Sequence, residues 1–306
     1  MKITQILFLL LIISCTNNEK SLHNPYVMIL GVAQDAGYPQ IDCTKQCCER
    51  TWNNPKLKKS AVCLAIVDPI NNEQWLIEAT PDIKNQLHVL KKESTIQDLN
   101  GIILTHAHIG HYSGLIHLGR EVMGSTAMPV YTMPKMKKFL ENNGPWSQLV
   151  ELNNINIFKL KEDSTFYLNP RISITPFLVP HRDEFSETAG YTISINEKKL
   201  MFIPDIDKWE TWEKNIIEII KTIDYALIDG TFYKDGEIDR DMSEIPHPFV
   251  EESINLFSKL DDSEKNKIYF IHFNHTNPLL IKNSWAQKEV KNKGFNISEE
   301  KMKITF

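Results

Sequence analysis

A short apolar stretch that runs directly into three histidines constrains this chain more than any other feature. The stretch is ILTHAHIGHYSG, residues 103–114, and it contains His106, His108 and His111. In extended backbone, side chains two residues apart point the same way, so His106 and His108 can meet one ion. Imidazole suits zinc, iron and copper, and a catalytic zinc keeps three protein ligands and an open position. The spacing predicts a metal site; the alternative is loop or core histidines without a metal.

Strand-like and helix-like segments alternate in two similar halves of the chain. Strands are predicted at 26–33, 101–105, 171–180, 190–196, 199–205, 225–230, 267–272 and 302–306, with a hairpin over 61–79. Helices are predicted at 112–123, 209–222 and 248–260 among others. This alternation is typical of sheets packed together and covered by helices.

Three later positions repeat the context of the histidine stretch, because each follows an apolar strand run. FLVPH ends in His181, LMFIPD ends in Asp205, and IYFIHFNH carries His272 and His275. Strand ends collect at one edge of a layered sandwich, so these side chains are expected to join the histidine stretch. Histidines with a carboxylate can hold one or two ions.

These residues resemble the ligands of the metallo-β-lactamase fold superfamily, whose motif is His-x-His-x-Asp-His. GVAQDAGYPQIDC, VPHRDEFSETAGYTI, LIDGTFYKDGE and IHFNHTNPLL are similar to motifs of the PQQ-biosynthesis protein B family within it. The resemblance covers residues 26–306. It implies a single α/β domain, an αββα metallo-β-lactamase sandwich with the site on one edge.

The resemblance also implies two neighbouring ions that share a carboxylate. The first would be held by His106, His108 and His181, the second by His111 and His275, and both by Asp205. Gly110 stands where the motif has an aspartate and offers no ligand. The second ion is then either absent or held by His111, His275 and Asp205. Zinc is the expected metal, with iron or manganese as alternatives.

Several further side chains are candidates for the reaction. Asp205 is the first candidate proton acceptor, and Asp183 and Glu184 come next, although solvated loop positions are equally consistent with their sequence. His247 resembles a loop histidine of the same family and faces either substrate or solvent. Asp229, at a strand end, is a candidate for orienting a ligand histidine.

Three cysteines fall within six residues of IDCTKQCCER. Cys43, Cys47 and Cys48 predict a separate structural zinc, with a histidine such as His272 as the fourth ligand. The resemblance supports this, because some relatives carry such a zinc. The alternative is a disulfide in an oxidising compartment.

The N-terminus predicts a lipoprotein signal peptide. Lys2, an apolar run at 6–13 and Ser14-Cys15 resemble a bacterial lipobox. We therefore expect a signal at 1–15 ending in the lipidated Cys15, a tether at 16–25 and the domain at 26–306. The expected location is the periplasmic side of the cell envelope, at the outer membrane, with membrane contact through the lipid only.

A net charge of −5 provides no basic footprint for a nucleic-acid polymer, so a small-molecule substrate is expected. The sequence predicts a metal-dependent hydrolase acting on a small ester or phosphodiester. Two alternatives stay open. One is a PQQ-biosynthesis B-like protein with iron-dependent oxidative chemistry, and the other is a non-catalytic lipoprotein that binds a metal or ligand.

Overall fold

Strand pairing produces two mixed sheets in the computed structural model, which describes residues 24–306. The first sheet contains β1 (Tyr26–Gly31), β2 (Cys63–Asp68), β3 (Glu73–Ile77), β4 (Gly101–Ile103), β5 (Met128–Thr132), β6 (Ile155–Lys159) and β14 (Lys303–Thr305). The second contains β7 (Phe166–Asn169), β8 (Ile172–Leu178), β9 (Ala189–Ile195), β10 (Lys198–Ile203), β11 (Tyr225–Asp229), β12 (Ile268–Ile271) and β13 (Asn296–Ile297). Their strand orders are β14-β1-β2-β3-β4-β5-β6 and β13-β12-β11-β10-β9-β8-β7.

Helices flank the two sheets. They are α1 (Gln46–Asn53), α2 (Ile83–Ser94), α3 (Ile109–Tyr112), α4 (Pro134–Asn142), α5 (Trp146–Glu151), α6 (Ile216–Lys221), α7 (Val250–Leu256), α8 (Asp262–Lys265) and α9 (Trp285–Asn292). Among residues 24–306, none of these helices has the length and apolar character needed to cross a membrane. The predicted signal peptide and Cys15 lie outside the described residues, so that part of the sequence analysis stays a prediction.

Strand β2 shows why the domain is layered, because both of its faces are buried. Leu64 and Ile66 face the core between the sheets, whereas Ala65 and Val67 face the cluster under α2–α5. Side chains alternate between the faces of a strand, and a strand covered on both faces therefore reads as one apolar run. Each fully buried leucine or isoleucine stabilises the fold by roughly 1.5–3 kcal/mol. The predicted αββα sandwich is confirmed.

The predicted helix over 112–123 is wrong in its extent. Helix α3 ends at Tyr112, and a 3-10 helix, Ser113–Leu118, follows it. Gly114 packs so closely on the end of the β3 hairpin that a Cβ there would lie 2.0 Å from the carbonyl oxygen of Thr80. Tertiary packing thus overrides the apolar periodicity. The helices predicted at 209–222 and 248–260 are also shorter, as α6 and α7.

Candidate metal centre

Six histidines form a closed ring at one edge of the sandwich. Neighbouring ring centroids lie 4.2–6.3 Å apart, in the order His108, His106, His111, His272, His247 and His181. The Asp205 carboxylate lies within 3.2–3.8 Å of five of them, all but His272. The residues come from the ends of β4, β8, β10 and β12 and from the segment after β11. The ring therefore depends on both sheets.

The first group of candidate ligands is the one that the sequence predicts. His106, His108, His181 and Asp205 each offer a ligand atom within 4.8 Å of the others. His106 Nε2 lies 2.8 Å from His108 Nδ1 and 3.3 Å from Asp205 Oδ2. His181 Nε2 lies 3.3 Å from Asp205 Oδ1, without hydrogen-bond geometry, and within residues 24–306 neither atom has a hydrogen-bond partner.

Polar groups outside the ring contact the outer nitrogens of these histidines, so that the unprotonated nitrogen of each imidazole faces inward. Thr105 Oγ1 donates to Glu78 Oε1, so it accepts from His106 Nδ1, which is 2.8 Å away. Glu184 lies 2.8 Å from His108 Nε2, and Asp207 lies 2.9 Å from His181 Nδ1. Several acceptors therefore face one another at the centre. That arrangement fits a cation, because a metal ligand needs its unprotonated nitrogen inward and its other nitrogen hydrogen-bonded.

The second group differs from the sequence prediction. His111 is joined by His272 and Asp35, whose ligand atoms lie within 4.8 Å of one another. The expected partner His275 is not part of it. His272 follows β12 directly, and its φ of 67° turns the fully buried ring inward. Both histidines follow the same strand, so the sequence alone could not show which one turns in.

The outer nitrogen of His272, in the second group, is also held. His272 Nδ1 lies 2.9 Å from Thr231 Oγ1, which donates to Asp229. His111 Nδ1 lies 3.3 Å from Glu78 Oε1, but without hydrogen-bond geometry. Sequence reasoning missed these orienting groups. Glu78 and Thr231 become neighbours of the histidines only through sheet pairing, and Thr105, although it precedes His106, meets its partner Glu78 in the same way.

The structure places His247 inside the ring. Its Nδ1 lies 2.8 Å from Asp229 Oδ2 and 3.2 Å from Asp205 Oδ1. Although burial lowers it, the pKa of His247 is raised overall, because the two carboxylates stabilise the charged ring. Asp229 thus orients His247, and it reaches His272 only through Thr231.

The electrostatics of the ring favour the ionised form of its buried carboxylate, Asp205. Burial opposes ionisation of Asp205, but the charges of His247 and His181 hold its pKa well below the ordinary range. Burial lowers the pKa of His272 to about 4, so this ring is neutral at pH 7. Burial likewise works to lower the pKa of His181, yet Asp205 and Asp207 raise it to about 9. Metal binding would replace that proton, since ligand histidines must be neutral.

The two loop carboxylates lie at the edge of the ring rather than at its centre. Glu184 contacts the outer nitrogen of His108, and its side chain is 44% exposed. Asp183 accepts a hydrogen bond from Thr188 Oγ1 at 2.9 Å and belongs to none of the candidate ligand groups. Burial raises the pKa of Asp183. Of the three candidate acceptors, Asp205 alone lies at the centre of the ring.

A separate cluster contains the three N-terminal cysteines and His275. Cys48 Sγ lies 3.3 Å and Cys47 Sγ 3.7 Å from His275 Nδ1, and Cys43 Sγ lies 3.8 Å from Cys47 Sγ. All three thiols are free, so the disulfide alternative does not describe this structure. The fourth member is His275, which corrects the expected His272. Three thiols and one imidazole make a four-donor set that suits structural zinc.

Comparisons with known proteins agree with this fold. Residues 74–273 match the model of the Beta-lactamase superfamily domain. Coenzyme PQQ synthesis protein B of Methylorubrum extorquens AM1 is 24% identical over 300 residues, covering 90% of this chain and 98% of that protein. The resemblance drawn from the sequence motifs is thus confirmed.

Two solved structures share the fold. Zn(2+)-bound PqqB from Methylobacterium extorquens has a TM-score of 0.76 and 21% identity, covering 92% of this chain and 100% of that one. A diphosphatase from the PhnP family has a TM-score of 0.63 and 18% identity, covering 92% and 97%. With its two seven-stranded sheets and its histidine ring at the sheet edge, the chain belongs to the beta-lactamase superfamily.

Proposed function

We propose that this protein is a metal-dependent hydrolase of a small ester, with a phosphodiester as the first choice. The observation that carries the proposal is the buried Asp205 carboxylate, which five histidines contact within 3.2–3.8 Å. Zinc is the proposed metal, since the inward nitrogens and carboxylate oxygens suit it. His106, His108, His181 and Asp205 would hold the first ion.

The ion, Asp205 and His247 have different roles in the proposed reaction. A bound divalent ion supplies a Lewis acid that polarises a substrate oxygen and lowers the pKa of water. Asp205 stays ionised at the centre of the ring, because its pKa is held well below the ordinary range, and it stabilises positive charge there rather than accepting a proton readily. His247, fixed by Asp229 and 3.2 Å from Asp205, is placed to donate a proton to a leaving group.

Residues at the exposed edge of the ring support the proposal of a small anionic substrate. Arg182 Nη2 lies 3.3 Å from His108 Nε2 on the exposed side of the ring. A guanidinium there favours a phosphate ester over a neutral ester, because it can pair with phosphate oxygens. Ile109 and Phe185, each 62% exposed, follow directly on His108 and Glu184 and offer apolar contact for an organic group.

The test uses the full chain loaded with zinc and two chromogenic substrates, bis(4-nitrophenyl) phosphate and 4-nitrophenyl acetate. We expect hydrolysis of the phosphodiester and a loss of roughly 1,000-fold in kcat/KM for Asp205→Asn, since several kcal/mol of charge stabilisation are removed. The matched control is Asp241→Asn, which changes an exposed carboxylate. Equal rates for wild type and Asp205→Asn would remove the proposal.

A second candidate function follows from the full-length similarity to coenzyme PQQ synthesis protein B. Under it, the same histidines and carboxylate hold iron, which they also suit, and the chemistry is oxidative. Metal analysis after expression in medium containing both iron and zinc separates the two. Iron that depends on His106, together with no hydrolysis, would favour this candidate.

We also propose that the protein is attached to the cell envelope through a lipid on Cys15. The order of Lys2, the apolar run 6–13 and Ser14-Cys15 supports it. Labelled palmitate should enter the wild type and not Cys15→Ser. Labelling of both forms, or of neither, would oppose lipid attachment at Cys15.

A further inference from the structure

The loop between β1 and α1 brings Asp35 directly against Gly110. A Cβ at Gly110 would lie 2.4 Å from Asp35 Cα and 2.8 Å from Asp35 Oδ1. Contacts this short do not occur, so any side chain at residue 110 would displace the loop. The place beside His111 is therefore filled by an aspartate from a different segment of the chain.

The Asp35 carboxylate completes a set of three donors. One of its oxygens, one nitrogen of His111 and one nitrogen of His272 all lie within 4.8 Å of one another. Both histidines are fully buried, and within residues 24–306 the Nε2 atom of each has no hydrogen-bond partner. A buried polar atom without a partner is costly, and a bound cation would remove that cost. Asp35 itself has a φ of 38°, an uncommon backbone conformation for a residue with a side chain.

We propose that Asp35 is the third protein ligand of a second divalent ion, with His111 and His272, and that Gly110 is required because it admits the Asp35 backbone. The ion would neighbour the first one, since His111 Nε2 lies 3.8 Å from Asp205 Oδ2. The loop is held in place, because Gln34 N donates to Phe273 O at 2.9 Å and Asn274 Nδ2 donates to Gln34 Oε1 at 2.8 Å. This inference rests on the metal-binding half of the proposed function, and hydrolysis is not needed to test it.

The first test measures zinc content by elemental analysis after equilibrium dialysis of the full chain against buffered free Zn²⁺. Asp35→Asn should lose one ion per chain at a free zinc level that saturates the wild type, and its affinity for that ion should fall by at least about 10-fold. Asparagine tolerates positive φ, so the variant keeps the backbone conformation. The matched control is Asp42→Asn, an exposed aspartate of the same loop with a φ of 59°, which should keep the wild-type content.

A second variant tests the same zinc site without changing a ligand. Gly110→Ala places a Cβ against Asp35 and should weaken the same zinc site by at least about 10-fold. Its control is Gly144→Ala, where an added Cβ meets nothing within 4 Å. Circular dichroism and the thermal midpoint show that each variant is folded.

The outcomes separate this inference from the proposed function. Wild-type zinc content and affinity in Asp35→Asn would overturn the assignment of Asp35, even if zinc that depends on His106 is present. A wild type whose only zinc depends on Cys48 would overturn this inference and the hydrolase proposal together. Loss of one ion in Asp35→Asn without any hydrolysis would support Asp35 and count against the hydrolase.

Discussion

The histidine ring and the cysteine cluster share two segments of the chain, yet they differ in the chemistry of their donors and in how completely those donors would surround an ion. The segment after β1, which includes the start of α1, provides Asp35 beside the ring and three thiols to the cluster. The segment after β12 provides His272 to the ring and His275 to the cluster. The ring has nitrogen and oxygen donors and more candidate groups than one ion needs. The cluster has four donors, enough to close a tetrahedral site. The ring is therefore the proposed site of reaction, and the cluster is the proposed structural site.

The two sites are also mechanically connected. Phe273 N donates to Val32 O at 2.8 Å, and Gln34 N donates to Phe273 O at 2.9 Å, so the shared segments pair side by side. An ion at the cysteine cluster would fix both segments at their far ends. Loss of that ion should therefore loosen Asp35 and His272 more than His106, His108 and His181, which come from other strands.

The largest expected contrast is between His106→Ala and Cys48→Ala. His106→Ala should lower kcat/KM roughly 1,000-fold, because a ligand of the reactive ion is lost. It should change the thermal midpoint less than Cys48→Ala does, because the ring has more candidate donors than one ion needs. Cys48→Ala should lower the midpoint by about 5–15 °C, because a bound ion contributes several kcal/mol of folding free energy, and lower activity about 10-fold at most. Thermal denaturation and kinetics on both variants check this. A stable Cys48→Ala protein would end the structural assignment of the cluster.

A smaller loss of activity is expected for His247→Ala. The variant removes a proton donor but none of the first group of ligands, so kcat should fall about 100-fold while zinc content stays constant. Phe232→Leu, which alters a buried neighbour of His247 without removing its imidazole, is the matched control. Kinetics and elemental analysis on the same preparations give the answer. Zinc loss in His247→Ala would make His247 a ligand and would enlarge the ring's metal-binding set.

Chelation should show that the ring and the cluster release zinc at different rates. The ring opens to solvent beside His108, whereas the cluster has no donor to spare, so zinc should leave the ring at least about 10-fold faster. Dipicolinate should therefore abolish hydrolysis before additional thiols react with Ellman's reagent. Simultaneous loss of activity and appearance of thiols would mean that the two sites exchange metal as one unit.

The smallest effect concerns Glu237, whose Oε1 accepts a hydrogen bond from Thr276 Oγ1, next to His275. Burial raises the pKa of Glu237 from 4.5 to about 7. The folded protein therefore binds this proton more tightly than the unfolded chain does. The stabilisation is present below pH 4.5 and is lost as pH rises through about 7, by up to about 3 kcal/mol.

The measurement for Glu237 is the thermal midpoint of wild type and Glu237→Gln at several pH values. Relative to the variant, the wild type should lose a few degrees between pH 5 and pH 8. Parallel curves would show that Glu237 titrates normally and that the support around His275 is insensitive to pH.

Much of the fold was predictable because it depends on local pattern. Apolar runs with strand spacing predicted the sheet strands, and the position of His106, His108, His181 and Asp205 after such runs predicted that they meet. The helix over 112–123 was wrong, because Gly114 lies against the Thr80 carbonyl, a contact that the periodicity does not contain. Local propensity is a weak guide where the chain must pack tightly.

The sequence by itself predicted the layered fold and the first group of candidate ligands, because apolar strand runs and the polar residues that follow them are local patterns. It also predicted the grouping of the three cysteines, which depends on short spacings along one segment. Only the tertiary structure decided that His272 joins the ring, that His275 joins the cysteines, and that Asp35 fills the space beside Gly110. The physical reason is that these choices depend on which distant segments come within a few ångströms. The positive φ of His272 accompanies its inward position, and the missing Cβ at Gly110 leaves room for Asp35. Neither feature produces a periodic pattern in the sequence.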